Sequence, residues 1–463
     1  MHDIQLPYDK TKEASILKYA KKIVGKSVET ILLINKGELN SRGKGNIGLL
    51  LEEQYFRYKT NNESKPDFPE AGLELKTTPL KMTRHGLSPK ERLVMNIINF
   101  NKEHTLTFYN SSFWTKNKSL LLVFYEYKKN VSYKKYIFKL VDIWKFPKED
   151  TEIIKRDWNI ITKKIREGLA HEISEGDTNY LGACIKGATR ESSFCKQPFS
   201  NKKAPRRAFS LKPKYLKFIV KEFERKQKQR IEDDISDTEK IITGIEELQK
   251  VKSFENLVMS KYKPYIGKTV EEIAAQFKDP PNPKAKDYFA NISKMILGVR
   301  GKKIEEFEKA DIILKTIRLN KKGMPKEAIS FPTFKYKKIV KEKWTTADLR
   351  QRLEKRFFFV VFQFDGNDKL RLRKAFLWNM PYKDIEECKK VWQMTIKRIK
   401  NREAENLPKT KDNRICHVRP HGRNKRDTYE THYGEELPKK CFWLNASYIK
   451  QVIEDTNFTE SQE

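Results

Sequence analysis

Alternating apolar and polar positions predict a strand over residues 71–78. Two leucines alternate there with Glu74 and Lys76. Side chains two apart on a strand share one face, so we expect the leucines to face a core and the charged pair to face a cleft. Asp67 lies just upstream, beside proline-containing turn residues that could bring its carboxylate back towards Glu74. The pattern therefore predicts three charged side chains at the edge of one strand.

These three residue types suit metal-assisted hydrolysis. Carboxylate oxygens of Asp67 and Glu74 are ligands that Mg²⁺ accepts, and Mg²⁺ binds through one or two carboxylates plus waters and substrate phosphate. An ammonium such as that of Lys76 can orient the attacking water and offset charge on the phosphate. The alternative is that all three are ordinary surface charges, in a chain of which 34% of the residues are charged.

Other hydrophobic patterns place this strand in a mixed α/β fold. Apolar runs over 120–127 and 357–364 predict buried strands, and residues 150–167 carry a helical stripe typical of a core-facing helix. The stretch 221–253 is dense in charged residues, with isoleucines spaced loosely along one helical face. We interpret this stretch as a helical connector, with a disordered linker as the alternative.

The chain also repeats itself in order. Segments of the first half match segments of the second half as follows: 24–31 with 266–273, 73–77 with 312–316, and 208–217 with 441–450. The repeats predict a tandem duplication, with a first domain over 1–221, a charged helical linker over 222–253 and a second domain over 254–463. Two domains of about 200 residues are what this length leads us to expect.

The second copy has lost part of the charged constellation. Ile313 stands at the position of Glu74, and the position of Asp67 falls near Glu306, while Lys315 matches Lys76. We expect the first copy to hold the active site and the second to keep the fold without catalysis.

Composition points to a polyanionic partner. Lys and Arg number 96 against 62 Asp and Glu, which gives a net charge of +34, and nucleic acid is the commonest partner for such a charge. No long apolar segment or signal-peptide core is present, so we expect a cytoplasmic protein without a membrane partner. The five cysteines form no CxxC pair, which favours reduced thiols over a disulfide or zinc framework.

Taken together, these residues closely resemble the family of GATC-cutting type II restriction endonucleases related to the mismatch-repair nicking enzyme MutH. The resemblance also covers residues 92–99, 170–176 and 415–421. It implies a restriction-endonuclease fold of the PD-(D/E)xK type, with a mixed sheet flanked by helices, and Mg²⁺-dependent cleavage at GATC. It further implies that the second, MutH-like domain binds DNA without cutting it and acts as an allosteric module.

The family has a further acidic residue on a helix ahead of the strand, in a G-x-x-x-E setting. Residues 48–52 match this setting and assign the role to Glu52. Glu53 follows directly, so the register stays open by one residue.

Candidate DNA contacts follow from the same resemblance. Arg419 and His421 keep much of the family's R-P-K base-reading motif in the second copy, whereas the first copy has Cys184 at the arginine position and Lys186 at the lysine position. Arg190 could substitute for the missing arginine. The remaining candidates are one glutamate near the adenine of the site, phosphate-binding arginines and a tyrosine that could equally serve the core: Glu91, Arg206, Arg207, Arg423 and Tyr215.

The sequence thus predicts a type II restriction endonuclease that hydrolyses DNA at GATC, with a second site bound as an effector. One active site per chain predicts that two chains meet on DNA, and a restriction role predicts a cognate DNA methyltransferase. The alternatives are a repair-type GATC nicking enzyme and a non-catalytic DNA-binding regulator. A zinc site at His417 and His421 is not favoured, because no second ligand pair stands at suitable spacing.

Overall fold

A computed structural model describes residues 6–34, 46–58, 65–84, 86–186, 193–228, 238–251, 253–300, 303–424 and 426–456. The chain divides into two compact units. The first comprises 1–173, 178–236 and 308–310, and the second comprises 174–177, 237–307 and 311–463.

The first unit alternates helices and strands. Its helices are α1 (Glu13–Lys21), α2 (Val28–Ile34), α3 (Asn46–Leu50), α4 (Phe100–Glu103), α5 (Ser112–Asn117), α6 (Lys148–Arg166) and α7 (Pro213–Lys228). Its strands are β1 (Glu74–Thr83), β2 (Gly86–Pro89), β3 (Leu93–Ile97), β4 (Ser119–Glu126), β5 (Ile137–Lys145), β6 (Leu181–Ile185), β7 (Phe194–Gln197), β8 (Ser200–Pro205) and β9 (Arg207–Leu211). Helix α3 continues directly into a π-helical turn over Leu51–Tyr55.

A mixed sheet in the order β2-β1-β4-β5 is the scaffold of this unit. Strand β1 runs parallel to β4, with Glu74 opposite Leu120 and Lys76 opposite Leu122, and β4 runs antiparallel to β5. All of β4 is buried, as its continuous apolar sequence predicts for a central strand. Leu73, Leu75 and Leu121 pack with the N-terminal helices in one core, and this core fixes β1 beneath α3.

A second, smaller sheet in the order β3-β9-β6 lies in the same unit, with a hairpin made by β7 and β8. Cys184 on β6 is paired with Ala208 on β9. Helix α6 packs its apolar stripe into the core, including Ile154, Trp158, Ile161 and Ile165. This confirms the helix predicted from the apolar stripe over 150–167, which begins two residues earlier and ends one residue earlier than predicted.

The second part of the chain has a similar succession of elements. Its helices are α8 (Ile245–Lys250), α9 (Phe254–Tyr262), α10 (Val270–Ala274), α11 (Tyr288–Ile296), α12 (Glu305–Ala310), α13 (Tyr336–Ile339), α14 (Asp348–Leu353), α15 (Tyr382–Lys400) and α16 (Ala446–Asp455). Its strands are β10 (Thr238–Glu239), β11 (Lys303–Ile304), β12 (Ile313–Leu319), β13 (Ile329–Ser330), β14 (Arg356–Phe364), β15 (Leu370–Asn379), β16 (Cys416–Pro420), β17 (Thr428–Glu430), β18 (Glu436–Pro438) and β19 (Lys440–Leu444).

The sheet β12-β14-β15 repeats the directions of β1-β4-β5. Strand β12 is parallel to β14, with Ile313 opposite Phe357 and Lys315 opposite Phe359, and β14 is antiparallel to β15. The small sheet β13-β19-β16 likewise matches β3-β9-β6 in order and direction. Two tyrosine–aspartate hydrogen bonds correspond as well, because Tyr215 donates to Asp150 at 2.8 Å and Tyr448 donates to Asp384 at 2.8 Å.

Residues 222–253 differ from the single helical connector expected for them. Helix α7 runs on to Lys228, residues 229–237 lie outside the described part of the chain, and Thr238–Glu239 then pairs as strand β10 with β11. Ile242, one of the isoleucines of this stretch, is buried in the short segment before α8.

The mixed α/β class is confirmed, because each unit combines mixed or antiparallel sheets with helices. No described helix combines the length and apolar character needed to cross a membrane.

Candidate active site

Asp67, Glu74 and Lys76 come together at the start of strand β1. Glu74 is only 1% exposed, and its Oε1 accepts a hydrogen bond from Lys76 Nζ. Its Oε2 accepts from the backbone N–H of Asp67 at 3.1 Å, while Asp67 Oδ2 accepts from the Leu75 N–H at 2.9 Å. These reciprocal bonds hold the turn before the strand against the strand itself. The predicted return of the Asp67 carboxylate to Glu74 is therefore present.

The turn is closed by backbone geometry that the sequence signals only weakly. Phe68 and Leu73 form an isolated antiparallel bridge, and Gly72 between them has φ +64°. A glycine adopts this left-handed conformation without the steric cost that a side chain brings. The site therefore depends on a tight turn between its two carboxylates.

A second lysine faces the same glutamate. Lys116, near the end of helix α5, places Nζ 3.6 Å from Glu74 Oε1, and its side chain is 17% exposed. Motif reasoning missed this residue because it lies in a separate helix far from the strand, among several other lysines. Glu74 thus has one cation from its own strand and one from a neighbouring helix.

Glu52 supplies a third carboxylate from the π-helical turn after α3. The close approach of the helix to the strand depends on Gly48, where a Cβ atom would lie 3.3 Å from Thr77 Oγ1 and 4.0 Å from Glu52 Oε1. Burial, and next the charge of Asp67, raise the pKa of Glu52 to about 7. Glu53 is exposed, so Glu52 is the glutamate aimed at the site.

The electrostatics of this cluster suit a divalent cation. Desolvation raises the pKa of the Glu74 carboxyl, Lys76 lowers it and Asp67 raises it again. The charge of Asp67 likewise raises the pKa of Glu52, so the carboxylates repel one another although Lys76 lies beside them. Oxygen ligands of this kind match Mg²⁺. Among the described residues, no group of three or more acidic, histidine or cysteine side chains is arranged to hold a metal ion by itself.

The matching place on strand β12 has a different chemistry. Ile313 replaces the glutamate, and Lys315 keeps the register of Lys76 with a pKa lowered by burial. Glu306, at the expected position of Asp67, accepts hydrogen bonds from the backbone N–H groups of Ile241 and Ile242 at 2.9–3.0 Å. Its carboxylate serves the fold of the second unit.

The DNA-contact candidates of the first unit differ in exposure: some are accessible, one lies outside the described residues, and two are buried. Lys186 follows strand β6, and its backbone N–H donates to the Arg206 carbonyl at 2.7 Å, so the two lie side by side at a sheet end. Arg206 is exposed, and so is Glu91, whose side chain is 61% exposed and pairs with Lys90 at 2.8 Å. Arg190 lies outside the described residues.

Two of the predicted contacts are corrected by burial. Arg207 is 5% exposed, and its guanidinium donates to the carbonyls of Ala183 at 2.7 Å and Ile173 at 2.5 Å. Tyr215 is fully buried, and its hydroxyl donates to Asp150. Neither side chain can reach DNA, so both have structural roles.

In the second unit, an exposed group of side chains lies on one face of β16 and β19. The Arg419 guanidinium stacks 3.7 Å from the centroid of the Trp443 ring, and His421 meets the same ring edge-on at 5.0 Å. Arg423 is exposed just beyond the strand. Strand register places Arg419 at the position of Cys184, as aligned from sequence. Trp443 was missed, because Ser210 occupies its place in the first unit.

His417, two residues before Arg419, is 5% exposed and hydrogen-bonds through Nδ1 to Asn445 Oδ1 at 2.5 Å. This contact gives the histidine a structural partner in the second unit.

Comparison with known proteins identifies the family. The family described as DNA mismatch repair enzyme MutH matches two segments, residues 56–157 and 299–390. The type II restriction enzyme Sau3AI of Staphylococcus aureus is 36% identical over 94% of this chain and 97% of its own length. The DNA mismatch repair protein MutH of Buchnera aphidicola subsp. Baizongia pistaciae (strain Bp) is 29% identical over 29% of this chain and 60% of its own. The chain is thus a type II restriction endonuclease and belongs to the MutH-related family of these enzymes.

Proposed function

We propose that this restriction endonuclease hydrolyses double-stranded DNA at GATC with Mg²⁺, at a single centre made by Asp67, Glu74, Lys76 and Glu52. The observation that carries the proposal is the buried Glu74 carboxylate, held between Lys76 and Lys116 and hydrogen-bonded to the turn that carries Asp67. A surface strand with incidental charges would not bury a glutamate to this extent.

In this proposal Asp67 and Glu74 hold the ion, with Glu52 as a further acidic group on the same side. A bound Mg²⁺ would act as a Lewis acid on the scissile phosphate and lower the pKa of a water. Lys76 Nζ positions that water for in-line attack, and Lys116 offsets negative charge that develops near Glu74. The water oxygen bonds to phosphorus and its proton passes to solvent, while the bond from phosphorus to the 3′ oxygen breaks. The leaving 3′ oxygen takes up a proton from solvent, so the products are a 5′ phosphate and a 3′ hydroxyl.

The GATC target is supported by the family resemblance and by two basic residues beside strands β6 and β9. Lys186 and Arg206 lie together at the end of the small sheet in the first unit, where donors to guanine or phosphate would be needed. Glu91 can accept a hydrogen bond from the exocyclic amine of a base, because its carboxylate is exposed.

We further propose that the chain is a tandem duplication in which the second unit binds DNA as an effector without cutting it. The repeated strand directions and the substitution of Ile313 for glutamate support this division. Arg419, stacked on Trp443, offers a guanidinium held ready for a base edge or phosphate.

One proposed centre per chain has consequences for assembly. Cutting both strands of a palindrome requires two chains related by a two-fold axis, or sequential nicks. We propose that two chains meet on DNA, and that a methyltransferase of the same specificity protects the host.

The decisive experiment is digestion of unmethylated plasmid with purified protein and Mg²⁺ alone. Double-strand cuts at GATC support the proposal, nicks alone would favour a repair-type enzyme, and no cleavage would favour a regulator. Lys76→Ala should abolish cleavage and leave DNA binding within a few-fold of the original. Retained cleavage by this variant would refute the assigned centre.

The effector proposal has its own test. Plasmids with one and two GATC sites should differ in cleavage rate, and a GATC oligonucleotide should rescue the one-site plasmid. Arg419→Ala should remove the rescue, whereas Lys390→Ala, an equal loss of charge on helix α15, should not. Equal rates on both plasmids, with no response to the oligonucleotide, would contradict the effector role.

A further inference from the structure

A tyrosine without an assigned role contacts the two segments that carry Glu52 and Asp67. Tyr58 follows the π-helical turn, and its backbone N–H donates to the Glu52 carbonyl at 3.1 Å. Its ring packs edge-on against Phe68, the neighbour of Asp67, with centroids 5.1 Å apart. The backbone of Tyr58 is thus bonded to the segment that carries Glu52, and its ring packs on the residue next to Asp67.

The hydroxyl of Tyr58 is buried and has no hydrogen-bond partner among the residues that the structure describes. Burial raises the pKa of this phenol, and the charges of Asp67, Glu52 and Glu74 raise it further. A phenol hydroxyl is protonated at neutral pH, so it is available as a donor. Leaving a buried donor without an acceptor destabilises a protein, so such a group beside an active site calls for an explanation.

We propose that Tyr58 is a positioning residue of the metal site: its hydroxyl donates a hydrogen bond to a water that the bound Mg²⁺ retains between the carboxylates. This inference rests on the proposed Mg²⁺ site. Mg²⁺ keeps several of its waters, and hydrogen bonds to such ligands from outside tune ion affinity.

The test compares Tyr58→Phe with Tyr8→Phe in the full-length chain. Tyr8 belongs to the same aromatic cluster and meets Phe68 edge-on at 6.1 Å, but its hydroxyl donates to the Phe56 carbonyl at 2.7 Å. Tyr8→Phe should therefore lower the melting temperature in EDTA and leave the response to Mg²⁺ unchanged. Tyr58→Phe should not lower the melting temperature in EDTA, because it removes a donor that has no partner there.

Two Mg²⁺ titrations give the readout. In Tyr58→Phe, the Mg²⁺ concentration for half-maximal thermal stabilisation should rise about 10-fold or more, and that for half-maximal cleavage should rise in parallel. Unchanged midpoints in this variant, or a loss of melting temperature in EDTA like that of Tyr8→Phe, would overturn the inference. If the unmodified protein neither cleaves nor responds to Mg²⁺, the proposed function fails and the inference fails with it. If it does both and Tyr58→Phe behaves identically, only the inference fails.

Discussion

Replacing Glu52 by glutamine should stabilise the ion-free protein while impairing the enzyme. Burial and Asp67 raise the pKa of Glu52 from 4.5 to about 7, which means that the folded state disfavours its charge. Without a correction for solvent screening, a pKa shift of this size corresponds to about 3 kcal/mol in the free energy of unfolding. Because part of the side chain meets solvent, screening reduces our expectation to about 1.5 kcal/mol. In a domain of this size that is about 3–6 °C in melting temperature.

The sign of the pH dependence follows from linkage. Above pH 7 Glu52 is charged in both folded and unfolded states, so the folded protein bears the full cost. Below pH 4.5 it is protonated in both, and the cost is absent. The stabilisation by Glu52→Gln should therefore be present at pH 8 and largely gone near pH 5.

Differential scanning fluorimetry in EDTA at both pH values measures the effect, with Glu53→Gln as the matched control on an exposed neighbour. Cleavage by Glu52→Gln should fall most at limiting Mg²⁺, because the variant has less negative charge with which to attract the ion. A Glu52→Gln protein no more stable than the original at pH 8, or equally stabilised at both pH values, would refute the electrostatic reasoning.

Three further outcomes are expected. Lys116→Ala should slow cleavage about 10- to 100-fold, since it removes a cation beside the buried glutamate, whereas Lys118→Ala should have little effect on plasmid digestion. Gly168→Ala should lower the free energy of unfolding in chemical denaturation by about 2–4 kcal/mol, because φ is +69° and a Cβ atom would lie 2.5 Å from a carbonyl oxygen. Gly25, with φ +82° and open space around it, is the control, and Gly25→Ala should cost about 1 kcal/mol. Chelation of divalent ions should stop cleavage and lower the melting temperature only by the stabilisation that Mg²⁺ binding adds, because the fold forms without the ion. Unfolding of the protein in EDTA would contradict this.

The sequence was sufficient for the parts of the site that are local in the chain. Alternation placed Glu74 and Lys76 on one strand, and the proline-containing turn indicated the approach of Asp67. The choice between Glu52 and Glu53 could not be made, because a π-helical turn breaks the 3.6-residue period on which a helical projection depends. The role of Lys116 could not be predicted for another reason: only the packing of α5 in the fold distinguishes it from other lysines.

The burial of adjacent basic residues could not be predicted from the sequence either. Arg206 and Arg207 are indistinguishable in composition, yet the first is exposed and the second is buried among carbonyl oxygens. The difference arises where strand β9 begins, since alternation along a strand turns successive side chains to opposite faces. In the second unit the corresponding pair is Lys439 and Lys440, and again only the latter is buried, with Nζ bonded to the carbonyls of Ala404 and Glu405 at 2.7 and 2.9 Å.

The comparison of the two sheets separates what the fold needs from what the chemistry needs. Buried cations at Arg207 and Lys440 recur in both units because carbonyl oxygens there require donors. The buried glutamate does not recur: its position is isoleucine in β12, which avoids the desolvation that raises the pKa of Glu74. A charge that burial disfavours, and that the same scaffold can replace with an apolar side chain, is retained in the first unit for a reason other than stability. The proposed ion binding at Asp67 and Glu74 would supply that reason, because a divalent cation reverses the sign of the local electrostatics.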